Sequence, residues 1–260
     1  MILESPPHIQ PDISVCTHIN KQPLAARNLL RSLEETADPV ALEIFFINLG
    51  QDADADLLRE FPQLNIFSLP GETVVQGCNQ ALELASGRYI LLVSHDVLIQ
   101  PKCLLRLVEF MDDNPEVGLA APRILNAYGK PEHIVRTFHS LFFLLKQFLP
   151  ISADFSDRHD KHLAPAFEYN NDAEVDWLWS GVKIIRREVL EDIGLPDAAM
   201  PPYFSDMEYA LKAKRAGWHN FYIHAATALH PNPLRYDSRL ASRPFSLSAT
   251  AKFMKKKWWR

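Results

Sequence analysis

Short apolar runs alternate with segments of helical apolar spacing through the first half of the chain. Ile13 to Thr17 is the first run, behind a proline-rich leader. From Pro23 to Glu35, Leu24, Leu29, Leu30 and Leu33 share one helical face, and Pro23 suits a first helical turn. Ala41 to Ile47 predicts a second strand, closed by a turn at Asn48-Leu49-Gly50. A short helix over Asp54 to Phe61 and a third strand over Leu64 to Leu69 follow. Thr73 to Ala85 reads as a helix with Thr73 as its N-cap and Gly87 as its terminating glycine. Tyr89 to Val93 is a continuous apolar run, which suits a strand buried on both faces. It stops at Ser94-His95-Asp96. Pro101 to Met111 predicts an amphipathic helix, broken by Asn114-Pro115, and Val117 to Ala121 another strand. This alternation predicts right-handed βαβ units, hence an α/β protein with a mostly parallel central sheet flanked by helices.

The second half is less regular. Ala127 to His133 is a turn-rich link, Phe138 to Leu149 an apolar and aromatic helix, and Ser152 to Asp172 a polar loop. Val175 to Ile185 is strand-like around Ser180-Gly181. Short helices end at Gly194 and Gly217, the second beginning at Asp206, and Asn220 to Ile223 is a strand. The chain of 260 residues fits a single domain. Its expected parts are a nucleotide-binding half over about 11–125, a less regular half over about 126–235, and a basic, aromatic tail over about 236–260.

Composition narrows the classes. Hydrophobic residues make up 47%, enough for a substantial core. A formal net charge of -5 gives no nucleic-acid footprint. Cys16, Cys78 and Cys103 are widely spaced in sequence and make no metal-type pair, which fits a reducing cytoplasm. The first residues hold no apolar signal segment, and no apolar run is long enough to cross a bilayer. Neither GxxxxGK[ST] nor GxGxxG is present, so a P-loop and a dinucleotide fingerprint are both missing.

The candidate chemistry gathers at strand ends. In an open α/β sheet, ligands bind beyond the carboxyl ends of the strands. An acid there, such as Asp96, can hold a divalent cation against a phosphate; the alternative is an ordinary loop aspartate.

The order of motifs resembles the inverting GT-A glycosyltransferases of family 2, especially the rhamnosyltransferase-like branch. Ser94-His95-Asp96-Val97 stands where that family carries an acidic metal motif, often N-P-D-V. Asn79 followed by Ala85-Ser86-Gly87-Arg88-Tyr89-Ile90-Leu91-Leu92 matches the approach to it. Asn114-Pro115-Glu116-Val117-Gly118, then Val175-Asp176-Trp177, Ser180-Gly181 and Ile185-Arg186-Arg187-Glu188 match later blocks. Ser205-Asp206-Met207-Glu208 resembles the family's E-D motif, Arg215-Ala216-Gly217-Trp218 its R-a-G-w, and His230 its late histidine. The resemblance runs from about Ile13 to the tail, and its specificity lies in order and spacing. The chain departs from the pattern at four places: Asn48 replaces the acid after the second strand, Gly71-Glu72-Thr73-Val74 alters the glycine-rich approach to the helix, Ser205 replaces the glutamate of E-D, and Glu208 its later aspartate.

What the resemblance implies is transfer of a sugar, with inversion, from a UDP-, dTDP- or GDP-sugar to a glycan or lipid-linked glycan, in surface polysaccharide synthesis. Asp206 would be the catalytic base. Thr17, Asn48, Asn79, Ser94 and Asp96 would meet the donor, and Trp177, Trp179, Ser180 and Gly181 the acceptor, tryptophan faces suiting sugar rings and glycine close approach. Core packing competes for the tryptophans, helix capping for Asp206, and a plain loop role for His230. Asp96 and His230 would hold Mn²⁺ or Mg²⁺, a histidine ligand favouring Mn²⁺. His95 is expected to face solvent or sugar. Arg136 is expected at the surface, with a phosphate contact as its other use. The tail mixes Lys252, Lys255, Lys256, Lys257 and Arg260 with Phe253, Met254, Trp258 and Trp259, which suits the inner face of an anionic membrane. A non-catalytic nucleotide-sugar or glycan-binding module on the same fold is the rival reading, favoured by Asn48 and Ser205. A nucleotidyltransferase is a third, without a phosphate loop to support it.

Overall fold

A computed structural model describes residues 10–19, 23–48, 57, 59–62, 64, 66–70, 74–138, 167–178, 181–200 and 202–231. The strands are β1 (Ile13–Ile19), β2 (Leu42–Asn48), β3 (Ile66–Pro70), β4 (Tyr89–Val93), β5 (Leu98–Ile99), β6 (Val117–Asn126), β7 (Val135–Arg136), β8 (Ala173–Glu174), β9 (Trp177–Leu178), β10 (Val182–Arg186) and β11 (His219–His230). The helices are α1 (Pro23–Thr36), α2 (Val74–Leu84), α3 (Cys103–Asp113), α4 (Arg187–Ile193) and α5 (Pro202–Arg215).

The main sheet runs β3-β2-β1-β4-β10-β6-β11-β5, with β8 also on β11. Strands β3, β2, β1 and β4 are parallel, as are β6 and β11; β10 lies antiparallel between β4 and β6. The mostly parallel α/β sheet expected from the alternation is therefore present. Its strands are apolar on both faces because both are covered. On one face Val15, Phe46, Leu91 and Ile184 pack with Leu29, Leu30 and Leu33 of α1 and Leu104 and Leu107 of α3. On the other, Cys16, Phe45, Ile90 and Ile185 pack with Ala81 and Leu82 of α2, Val189 of α4, and Tyr209 and Ala213 of α5. The alternation of side chains along each strand assigns each residue to its face.

Several boundaries differ from expectation. The segment read as one strand over Val175 to Ile185 is two, because β9 pairs with β7 in a separate ribbon while β10 enters the main sheet. Residues 219–230 form one long strand, with irregular register between Ile223 and Thr227. Gly87 does not cap a helix in the left-handed region. A Cβ there would stand 2.6 Å from the backbone nitrogen of Ser14, so the residue is small to let β1 and β4 meet. Its amide donates to Ser14 Oγ and to Glu43 Oε1, which also accepts from Ser14 Oγ, Ser86 N and Ser86 Oγ. That carboxylate binds the entry of β4 to β1 and β2. The N-cap proposed at Thr73, the helix beyond Phe138 and the C-terminal tail lie outside the described residues.

Candidate active site

Strand pairing assembles the first cluster. Leu229 of β11 pairs with Leu98 of β5 in antiparallel register, so the next residue, His230, meets the turn that carries Asp96. His230 Nε2 lies 3.2 Å from Asp96 Oδ2, and the imidazole side chain is only 4% exposed. Ser94 Oγ donates to the other carboxylate oxygen at 2.5 Å. A third partner was not foreseen: His230 Nδ1 lies 3.0 Å from Glu132 Oε1. Glu132 arrives because the chain turns back after β6, with Gly129 in the left-handed region and Glu132 N donating to Ile124 O.

The electrostatics follow from this chain of contacts. Burial alone would raise the Asp96 carboxyl, but the hydrogen bonds from His230 and Ser94 outweigh it and bring it down to about 2. Burial alone would lower His230, but hydrogen bonds to Asp96 and Glu132 outweigh it and raise it to about 9. With no cation present, His230 is thus an imidazolium held between two carboxylates.

His95 faces neither solvent nor an open surface. It is 5% exposed, its ring packs edge-on against His18 with centroids 5.2 Å apart, and neither ring nitrogen has a hydrogen-bond partner among the described residues. Burial first, then the neighbouring His95, lowers His18 to about 4; burial likewise lowers His95. Both rings are neutral at pH 7. Thr17 Oγ1 and Asn79 Oδ1 are also buried without a partner among the described residues. Such groups are rare in proteins and pair readily with a polar ligand. Thr17 stands two residues inside β1, which runs on to Ile19, while Asn48 ends β2 in register with Ile19. Asn79 uses its amide N–H on the carbonyl of Pro196 at 2.8 Å, which ties α2 to the α4–α5 connection.

A second cluster joins β10 to α5. Asp206 is not the cap of its helix: α5 begins at Pro202 and Asp206 stands in its second turn. Its Oδ1 lies 2.7 Å from Nζ of Lys183, a lysine of β10 that is 7% exposed. The signal for Lys183 was a cation inside the apolar run Val182-Lys183-Ile184-Ile185, where buried lysine is rare unless paired. Glu132 and His18 carried no comparable signal.

Two assignments need correction. Trp177 is fully buried, and its indole N–H donates to Thr137 O, so it is core and offers no face to a sugar. Arg136 is buried, donating to the carbonyls of His133 and Val135. Gly181 does sit at the first cluster: its carbonyl accepts from Ser94 N, and a Cβ on it would come within 3.2 Å of Val97. Trp179 and Ser180 lie outside the described residues.

The donor set suits a divalent cation. Asp96 supplies an oxygen and His230 a nitrogen aimed at it, and His230's other nitrogen rests on Glu132, as outer-shell carboxylates do for metal-bound histidines. Among the described residues no three acids, histidines or cysteines cluster to hold a metal unaided. Two protein ligands are few, as at phosphate sites where phosphate and water complete the shell of Mg²⁺ or Mn²⁺.

The sheet order and the acid beyond β4 define a GT-A-type α/β protein. Residues 13–194 match glycosyl transferase family 2, and the chain belongs to that family, whose reaction is sugar transfer from a nucleotide sugar. Solved structures share the fold at low identity. S. aureus TarS 1-349 has a TM-score of 0.58 at 15% identity, over 94% of this chain and 70% of that one. The mannosyltransferase PcManGT from Pyrobaculum calidifontis, in complex with GDP-Man and Mn²⁺, has a TM-score of 0.59 at 15% identity, over 92% and 64%. GalNAc-T7 with UDP, GalNAc and Mn²⁺ has a TM-score of 0.61 at 13% identity, over 86% and 44%. This chain thus spans less than half of GalNAc-T7 and about two thirds of the other two. No curated protein sequence matches it. Among the described residues, no helix is long and apolar enough to cross a membrane.

Proposed function

We propose that this protein is an inverting glycosyltransferase of the rhamnosyltransferase-like branch. It moves a sugar from a UDP-, dTDP- or GDP-sugar to a glycan or lipid-linked glycan during polysaccharide synthesis. The observation that carries this reading is the Asp96–His230 pair, 3.2 Å apart at the strand ends of a family 2 fold. Bound there, Mn²⁺ or Mg²⁺ would offset the negative charge that develops on the departing diphosphate. Mn²⁺-containing complexes of PcManGT and GalNAc-T7 support the choice of ion.

The chain's own residues supply the rest. Ser94 holds one Asp96 oxygen and leaves the other towards His230. Thr17, Asn79 and His95 offer buried polar atoms without partners to the donor, and Asn48 stands at the end of the neighbouring strand. Asp206 accepts the proton of the attacking hydroxyl, and inversion follows from direct displacement at the anomeric carbon. Lys183 holds that carboxylate in place. Gly181, with Ser180 and Trp179, forms the acceptor side, the 11–125 and 126–235 segments dividing donor from acceptor. The tail rests on the inner face of the membrane, where a lipid-linked acceptor is presented.

The Lys183–Asp206 pair and the buried Ser205 in place of a glutamate favour a second reading, a glycan- or nucleotide-sugar-binding module without catalysis. Calorimetric titration with UDP-, GDP- and dTDP-sugars, each with Mn²⁺ and with EDTA, tests both. Metal-dependent binding lost in Asp96→Ala, together with slow metal-dependent donor hydrolysis, is the result expected of the enzyme. Binding without any hydrolysis would leave the module. No binding of any donor would overturn both.

A further inference from the structure

Glu132 belongs to the site although it lies outside every motif that the resemblance supplies. It sits in the return after β6, where Asn126 N donates to Lys130 O, Asn126 Oδ1 accepts from Tyr128 N and Lys130 N, and Leu125 bridges to Pro131. This closed turn sets Glu132 back alongside Ile124. Strand β11 runs parallel to β6, with His230 in register with Asn126. The geometry brings Glu132 Oε1 to 3.0 Å from His230 Nδ1, on the side of the ring away from Asp96.

An imidazole has two nitrogens, and the hydrogen bond made by one decides what the other can do. A carboxylate beside Nδ1 accepts its proton's hydrogen bond and holds that tautomer. When a cation replaces the Nε2 proton, the lone pair of Nε2 is left on the Asp96 side. The ring cannot turn over, because its side chain is 4% exposed and packed in place. From this we propose that Glu132 is a positioning residue for the cation site: it fixes the tautomer and plane of His230, so that Nε2 and Asp96 Oδ2 converge on one divalent ion. The inference rests on the metal-dependent reading above and adds to it a third acid that touches neither donor nor ion. It also explains why the turn after β6 is hydrogen-bonded shut, since that closure sets how far the glutamate reaches.

The test is Mn²⁺ affinity, read as loss of the free-ion electron paramagnetic resonance signal, with UDP and separately with GDP present. Wild type, Glu132→Gln, Glu132→Ala, His230→Ala and Asp96→Ala are compared. Carboxylates that support metal-bound histidines are worth about 10- to 100-fold in affinity. Glu132→Ala should weaken Mn²⁺ binding by about that factor while the unfolding transition stays cooperative. Glu132→Gln, whose amide oxygen still accepts from Nδ1, should recover part of the loss. A purely structural glutamate would lower thermal stability in both variants and leave Mn²⁺ affinity alone, and that result overturns the inference. Loss in His230→Ala and Asp96→Ala with Glu132→Ala unchanged would overturn it and leave the metal-dependent reading standing. Wild type that binds no Mn²⁺ with either nucleotide would overturn that reading and this inference together.

Discussion

Lys183 Nζ stands 2.7 Å from Asp206 Oδ1, and the lysine is far the more buried partner, at 7% exposed against 29%. The asymmetry decides which substitutions are informative. Removing the carboxylate strands a buried ammonium, whereas removing the lysine leaves a carboxylate that water can reach. Stranding the buried member of such a pair costs about 3–5 kcal/mol. Asp206→Ala should therefore fold poorly. Asp206→Asn keeps an oxygen for Lys183 and should fold, yet lose transfer by about 10²- to 10⁴-fold with donor binding intact. Steady-state transfer and donor titration on Asp206→Asn check this; retained transfer would refute the base assignment.

The histidines make the cation-free protein sensitive to pH in both directions. His18 sits at about 4 in the folded chain against 6.5 in the unfolded one. Between those values the unfolded chain binds a proton that the folded chain refuses, so stability falls as pH falls from 6.5 to 4. His230 is shifted the other way, to about 9. Its contribution is complete below 6.5 and is lost as pH rises towards 9. Asp96, at about 2, adds a further loss as pH drops below 3.8. Melting in EDTA should show a maximum near pH 6.5, with an acid limb of up to about 3 kcal/mol from His18. His18→Phe should flatten that limb. A melting temperature constant from pH 4 to pH 9 would contradict the assignment.

Glu43 and Gly87 should behave as one unit. Glu43→Ala strands the donors of Ser14, Ser86 and Gly87 that meet on a single oxygen, a cost of about 2–4 kcal/mol. Gly87→Ala pushes a methyl against the Ser14 backbone and should cost about 1–3 kcal/mol. Denaturant titration of the two single variants and the double should show less than additive loss, since both spoil the same junction. Strict additivity would mean that the contacts are independent.

Asn79 has one satisfied and one unsatisfied polar atom, which separates structure from binding. Asn79→Leu should lower the melting temperature by about 2–4 °C through the lost bond to Pro196. If its unpartnered oxygen serves the proposed donor site, the same substitution should weaken UDP or GDP binding about tenfold. A lower melting temperature with unchanged affinity would reduce Asn79 to a latch.

Much of the fold was legible because its strands are buried on both faces and read as uninterrupted apolar runs. The acid of Ser94-His95-Asp96 stands out for the same reason, since it follows such a run, whereas His230 is marked only by the family resemblance. What stayed hidden depends on pairing between distant strands. Glu132 is 98 residues from His230 in sequence, and nothing local marks it. Trp177 and Trp179 alternate as a shelf would, yet the ribbon of β7 and β9 turns Trp177 into the core. Asp206 reads as the start of a helix, whereas α5 begins at Pro202, a residue at home in a first turn. Lys183 was the missed opportunity, a charge within a strand that must be buried.

The place of β10 between β4 and β6 also bears on how the chain is made. Val93 of β4 waits for Val182, its partner across β10. At about 5–20 residues per second, the ribosome takes roughly 5 to 20 seconds to deliver that stretch. Through this interval β4 is an open edge, apolar on both faces, the kind of strand that recruits other chains. The late strand is therefore a seal on the nascent first half, and Asp96 meets His230, 134 residues away, only after it has closed.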